Sequence, residues 1–175
     1  MPKALDKIVN GWELSGTASW QTGFPFTIFS GADNSLSGML GDRADLAVSS
    51  VQQAVLGGGR SHSAEVQEWF NTNAFQPNAI GTFGDTGKNI LRGPRFFDAD
   101  LAAVKNAKLT ERLSMEFRAE FFNAFNNVNF GRPDGNLADL GTTFGEITGM
   151  AGASSSNTYG TAQPRIIQFA VKMAF

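Results

Sequence analysis

Apolar and polar side chains alternate with a period of two in four separate stretches, the pattern of strands that turn one face to an apolar phase and the other to a polar one. The first covers residues 11–22. Trp12, Leu14, Gly16, Ala18 and Trp20 share one face, and Glu13, Ser15, Thr17, Ser19 and Gln21 share the other. A short apolar stretch, 24–29, follows Gly23 and extends the strand past a kink. The second covers residues 96–105, with Phe97, Ala99, Leu101 and Ala103 opposite Asp98 and Asp100, and its alternation decays at Val104. The third covers residues 112–123. Its Met, Glu, Arg and Ala are helix formers, so a helix competes here. On a helix, however, the charges would scatter around the circumference. On a strand Leu113, Met115, Phe117, Ala119 and Phe121 separate without exception from Ser114, Glu116, Arg118 and Glu120. The fourth covers residues 165–175, with Ile167, Phe169, Val171, Met173 and Phe175 opposite Gln168, Ala170, Lys172 and Ala174.

The connections are unequal. Residues 106–111 make a tight turn between the second and third strands, whereas residues 30–95 and 126–164 form long links of a length uncommon inside compact soluble domains. The first long link is expected to hold one short helix, capped by Ser63, with Val66, Trp69 and Phe70 at i, i+3 and i+4. The pattern therefore predicts an all-β chain of antiparallel strands.

Composition sharpens this picture. Phe occurs 16 times against a single Tyr, and Gly 20 times. Phe favours strands and Gly punctuates strands and loops. The net charge of −2 comes with no basic stripe, which argues against nucleic acid as a partner. The absence of Cys rules out disulfides and thiolate metal sites. No apolar run reaches the roughly 18 residues of a membrane-spanning helix. The N-terminal stretch lacks the apolar region of a signal peptide. An outer-membrane protein needs such a peptide, so either the chain is a fragment, with Met1 an internal or truncated start, or a membrane reading is wrong.

Strand length and loop asymmetry together fit a membrane barrel. In lipid every backbone group must pair with a neighbouring strand, and tilted strands of about 9–11 residues suffice to cross. Such barrels have short turns on the periplasmic side and long loops outside. With residue 175 at the periplasm, 106–111 becomes a periplasmic turn, and 30–95 and 126–164 become outer loops. The competing architecture is a soluble β-sandwich, with one face of each sheet packed on a core. It would be a ligand- or carbohydrate-binding module using Trp12, Trp20 and Trp69. The two differ in whether the odd-numbered face of Leu113 to Phe121 is exposed or sealed.

Four segments carry a family resemblance: GWELSGTASWQTGFPFTI at 11–28; WFNTNAF with GTFGDTGKNILRGPRFFDADLA within 69–102; LTERLSMEFRAEFFNAFNNVNFG at 109–131; and PRIIQFAVKMAF at 164–175. GDRADL at 41–46 belongs with them. In this order they resemble the C-terminal barrel region of TonB-dependent outer-membrane receptors of the Oar-like kind, which often carry a carboxypeptidase-regulatory-like domain. The resemblance implies residence in the outer membrane of a Gram-negative bacterium and a barrel of about 22 strands closed around a plug. It implies as partners the outer-membrane lipid, the N-terminal barrel and plug of the same protein, the TonB complex and the barrel-assembly machinery. It also implies that Phe169, Val171, Met173 and Phe175 are the signal read by that machinery.

Candidate chemistry adds little. GDTGKN at 84–89 lacks the first Gly of a phosphate loop, where Thr82 stands, and the Ser or Thr after Lys88, where Asn89 stands. His62 is the sole histidine, which leaves a dedicated zinc site without ligands. Asp33, Asn34, Asp42 and Asp45 lack the spacing of a calcium loop and suit solvated turns. Glu116 with Glu120, or Asp98 with Asp100, could serve as catalytic carboxylates, but Arg118 among them suits a polar face. A hairpin across 106–111 would set Arg118 opposite Asp98 or Asp100, an opposite-charge pair of about 0.2–1 kcal/mol. No catalytic residue and no cofactor is expected.

Overall fold

In the computed structural model, which describes residues 9–152 and 162–175, the strands are β1 (Trp12–Gln21), β2 (Pro25–Phe26), β3 (Asp45–Leu46), β4 (Phe75–Gln76), β5 (Leu91–Arg92), β6 (Phe96–Lys108), β7 (Ser114–Phe122) and β8 (Ile166–Ala174). A short helix, α1, spans His62–Gln67. The part of the second long link at 153–161 lies outside the described residues. The chain divides into two units, Met1–Gln21 with Phe97–Val128 and Ala162–Phe175, and Thr22–Phe96 with Asn129–Thr161.

The first unit is a four-stranded sheet in the order β1-β6-β7-β8. β6 and β7 pair antiparallel with Val104 opposite Arg118, and β7 and β8 pair antiparallel with Phe117 opposite Val171. β1 runs antiparallel to β6. The Asn106 N–H donates to the Gly11 carbonyl at 2.8 Å, and a Cβ on Gly16 would lie 2.8 Å from the Leu101 side chain. Glycine at this point of β1 leaves room for Leu101.

This register corrects one expectation. Arg118 faces neither Asp98 nor Asp100, because β6 continues to Lys108 and the turn lies at 109–113 instead of 106–111. The turn closes through the Leu109 N–H to the Leu113 carbonyl at 2.9 Å, with the Thr110 hydroxyl accepting from the Leu113 N–H at 3.0 Å. The strand outlasts its alternation because Lys105 sits in the apolar row. Its ammonium bends to the Asn10 carbonyl and lies 5.3 Å from the centre of the Trp12 ring. The long aliphatic stem packs while the charge finds a carbonyl and a π face.

At the other end of the hairpin an asparagine-rich turn follows β7. Asn123 and Asn126 take left-handed φ of 45° and 52°, which asparagine tolerates better than most residues. The Asn123 side chain is buried and satisfied. Its amide donates to the carbonyls of Asn127 and Gln163, and its oxygen accepts the Asn127 N–H.

The second unit is built from both long links and from the stretch 24–29, which pairs through β2 with β5 in a separate ladder instead of extending β1. It carries its own core of Phe26, Ile28, Phe70, Phe75, Leu91, Leu137 and Phe144. Phe70 is the hub, with its ring 5.2 Å from Phe144, 5.7 Å from Phe75 and 5.9 Å from Phe26, the first two near edge-to-face. Such spacing is the preferred geometry of aromatic pairs. Small ladders hold the frame: β2 with β5 and β3 with β4. Phe29 exchanges hydrogen bonds with the other link, its N–H donating to Gly135 and its carbonyl accepting from Leu137. Gly84 has φ +81°, and a Cβ there would stand 2.0 Å from the Arg43 carbonyl oxygen.

The helix differs from expectation in extent. Ser61, not Ser63, caps it, accepting from the Ala64 N–H at 3.3 Å. Trp69 and Phe70 lie beyond its end, because Glu68 turns extended at φ −150° and Phe70 instead bridges Val55. Arg60 donates to the carbonyls of Ala64 and Glu68 at the end of the helix, and the Ala64 carbonyl also accepts the Glu68 N–H at 3.1 Å.

Candidate functional site

The sheet of the first unit has two chemically different faces. The odd positions of β6, β7 and β8 are in register with the even positions of β1. One face therefore collects Trp12, Leu14 and Trp20 from β1, Leu101 from β6, Phe117 from β7, and Phe169, Val171 and Met173 from β8. Phe169 is 68% exposed, Val171 58% and Leu14 80%. At the odd positions of 113–121, Leu113, Met115, Phe117 and Phe121 are half-buried and Ala119 is buried. Every residue of the buried cluster nevertheless belongs to the second unit, so among the described residues the first unit holds no apolar core of its own beneath Leu113 to Phe121. A soluble sandwich requires such a core. An uncovered apolar face of this extent instead marks a surface made to be covered.

Phe169, Val171 and Met173 lie along the edge strand β8 and Phe175 directly follows it, and all four are exposed. Phe169 stacks on Phe117 with centroids 6.0 Å apart and planes 18° from parallel. Aromatic side chains stand towards both ends of the face, Trp12 at one end of β1 and Trp20 at the other. These tryptophans are eight residues apart on one strand, roughly 26 Å at ~3.3 Å per residue, too far for one sugar ring to touch both, and Trp69 belongs to the other unit.

The opposite face is polar and ordered by charge. Arg118 lies between Glu116 and Glu120, 3.4 Å from each carboxylate. These three side chains are partly exposed, so each pair adds at most about 1 kcal/mol. With its guanidinium between them, the two glutamates and Arg118 form an ion-pair ladder. Glu116 lies across from Lys172. The Asp100 carboxylate accepts the Asn123 N–H at 3.0 Å and fixes the turn after β7.

The remaining candidates resolve into local structure. Asp33 accepts from the Ser37 N–H at 2.9 Å and the Gly38 N–H at 2.8 Å. Asp42 accepts from the Ser35 N–H at 2.7 Å, and Asp45 from the Asp85 N–H at 2.8 Å. Burial works to raise the Asp42 carboxyl, but the hydrogen bonds from Ser35 and Asn78 outweigh it and hold the group below its ordinary value. Among the described residues no group of three or more acidic or histidine side chains is placed to hold a metal ion. His62 is exposed and meets the Phe130 ring edge-on at 5.8 Å. The segment 84–89 is a turn that hydrogen-bonds within the second unit, the Asn89 N–H reaching the Thr27 hydroxyl at 2.9 Å.

Sequence pattern missed Lys105, which completes the apolar face at the turn end. A lysine between Ala103 and Ala107, in the same row as a strand-initial tryptophan on the neighbouring strand, is the signal that would have found it.

Among the described residues no helix is long and apolar enough to cross a membrane, which leaves crossing by strands open. A family model described as an outer membrane beta barrel domain matches residues 2–168. No curated protein and no solved structure matches the chain.

Proposed function

The chain belongs to the outer membrane β-barrel domain family and resides in the outer membrane of Gram-negative bacteria, and on that premise we propose that it is the C-terminal barrel portion of a TonB-dependent outer-membrane receptor. Its role there is structural and pore-forming, not catalytic. The four-stranded sheet is a section of barrel wall, since closed barrels of this class begin at about eight strands. The exposed apolar face meets lipid, and the face of Glu116, Arg118 and Glu120 meets the lumen. A ten-residue strand such as β1 is about 33 Å long at ~3.3 Å per residue, and tilted by ~40° it rises about 25 Å, the height of a lipid-facing band.

The turn at 109–113 then lies at the periplasm, and the two long links lie outside. Phe169, Val171, Met173 and Phe175 form the row offered to the barrel-assembly machinery, and the plug and the remaining strands of the same receptor fill and complete the wall. The observation that carries the barrel role is the uncovered apolar face on a sheet with alternating short and long connections. What supports the finer assignment to TonB-dependent receptors is the ordered resemblance of the segments at 11–28, 69–102, 109–131 and 164–175 to their barrel region.

The test takes the gene product that contains this chain from outer-membrane extracts and passes it over the immobilised periplasmic domain of TonB. Retention that a competing TonB-binding peptide abolishes is the expected result. A product that folds in the outer membrane and is not retained would overturn the TonB assignment and leave the family membership intact.

A further inference from the structure

A hollow of about 320 Å³ opens in the second unit, between the Val55–Phe70 bridge and the segment that carries β5. Its floor is Phe70 and Leu91, both core side chains, yet Val55 at its lip is 60% exposed. An apolar wall left in water beside a sealed core invites a cover. Trp69 lines the hollow with its orientation fixed, because its indole N–H donates to the Arg92 carbonyl at 2.8 Å. With that polar edge engaged, Trp69 presents its apolar ring.

Two donor-bearing residues, Arg92 and Asn89, line the same hollow. The Arg92 guanidinium is anchored by one bond, from Nη1 to the Gly23 carbonyl at 3.1 Å. That bond uses one of its five N–H groups, and the rest of the fork is available to an outside acceptor. Asn89 is held at a left-handed φ of 59°. Its backbone N–H donates to the Thr27 hydroxyl at 2.9 Å, and its side-chain oxygen accepts from that hydroxyl at 3.4 Å, which leaves the NH2 group as the side chain's remaining donor. Both charged residues of the segment 88–92, Lys88 and Arg92, are cationic.

We propose that this hollow binds a single-ring organic acid, its ring against Trp69 and Val55 and its carboxylate on Arg92 and Asn89. The size argues for one ring, since ligand sites span about 300–1,000 Å³ and this one lies at the lower bound. The polar groups argue for a carboxylate. A guanidinium fork and an amide donor match its two oxygens: the guanidinium has donors only, and the Thr27 hydroxyl already occupies the Asn89 side-chain oxygen. The assignment rests on residues of the second unit alone and stands whether or not the protein uses TonB.

Calorimetric titration of the full chain in detergent micelles tests it, with benzoate and glucuronate as probes and benzyl alcohol and methyl glucoside as their neutral counterparts. One acid is expected to bind, with its neutral counterpart about tenfold weaker or more, as for loss of a charge-assisted pair. Benzoate binding would assign an aromatic acid, and glucuronate binding a sugar acid. R92Q and N89G are each expected to weaken binding about tenfold, and glycine keeps the left-handed backbone at position 89. Where R92Q lowers the thermal transition of the unit, R92K decides, because it keeps the charge and stem but not the fork. Failure of both acids to bind, equal binding of acid and neutral compound, or full binding by N89G and R92K would overturn the proposal.

Discussion

At the scale of single residues, the two units obey opposite rules. In the second unit a large side chain is worth its contacts. Phe70, 1% exposed and ringed by three other phenylalanines, should cost about 3–5 kcal/mol on replacement by alanine. Hydrogen exchange along residues 22–96 is the measurement, with faster exchange expected there and unchanged exchange in β6 and β7. Asp42 makes the same unit acid-sensitive. Its folded-state carboxyl lies below the unfolded value of 3.8, so its stabilisation is fully present above that value and is lost as pH falls through the lower folded one. Thermal unfolding followed from pH 6 to about pH 2.5 should show this loss, and D42N should flatten it. Neither role was legible in the text of the chain. Phe70 sat in a helical spacing with Val66 that the extended Glu68 breaks, and Asp42 looked like any other turn aspartate until Ser35 and Asn78 were seen to surround it.

At the scale of elements, the hairpin of β6 and β7 shows what alternation can and cannot carry. Period-two patterning marks a strand because adjacent side chains must point to opposite faces. The strand character of 113–121 and the composition of both faces were therefore readable against a helix-prone composition. Register was not. It depends on where β6 stops, and β6 stops late because Lys105 reaches back to Asn10 and Trp12, contacts that come from a strand distant in sequence. The two faces should respond differently to charge. F117R, on the apolar face near the middle of β7, should destabilise insertion by about 2–4 kcal/mol, the cost of a cation at the bilayer midplane. E120Q, on the polar face, should change it by less than about 1 kcal/mol. Urea titration of the protein folded into lipid vesicles measures both, and equal effects would mean that the assigned faces are wrong.

At the scale of the molecule, the sheet has two open edges and an uncovered face. β1 and β8 are exposed along their whole lengths, and unpaired strand edges seek partners. Without detergent the chain should therefore sediment as large associates, and in micelles its particles should become small and uniform. Analytical ultracentrifugation decides this, and a monodisperse monomer in plain buffer would contradict the exposed face. The compactness of the two long links escaped the sequence for a physical reason. Each link alone reads as a long loop, the first with one short helix, and the phenylalanines that make a core are divided: Phe70 and Phe75 in one link, Phe144 in the other, with Phe26 just ahead of the first. That shared core also bears on how such a protein diversifies. Surface loops usually drift one at a time, but here an exchange of either link by recombination would transplant half of a packed interior and strand the other half. The pair is therefore the smallest unit of heritable exchange in this part of the chain, and chimaeras that respect it should fold where single-link swaps fail.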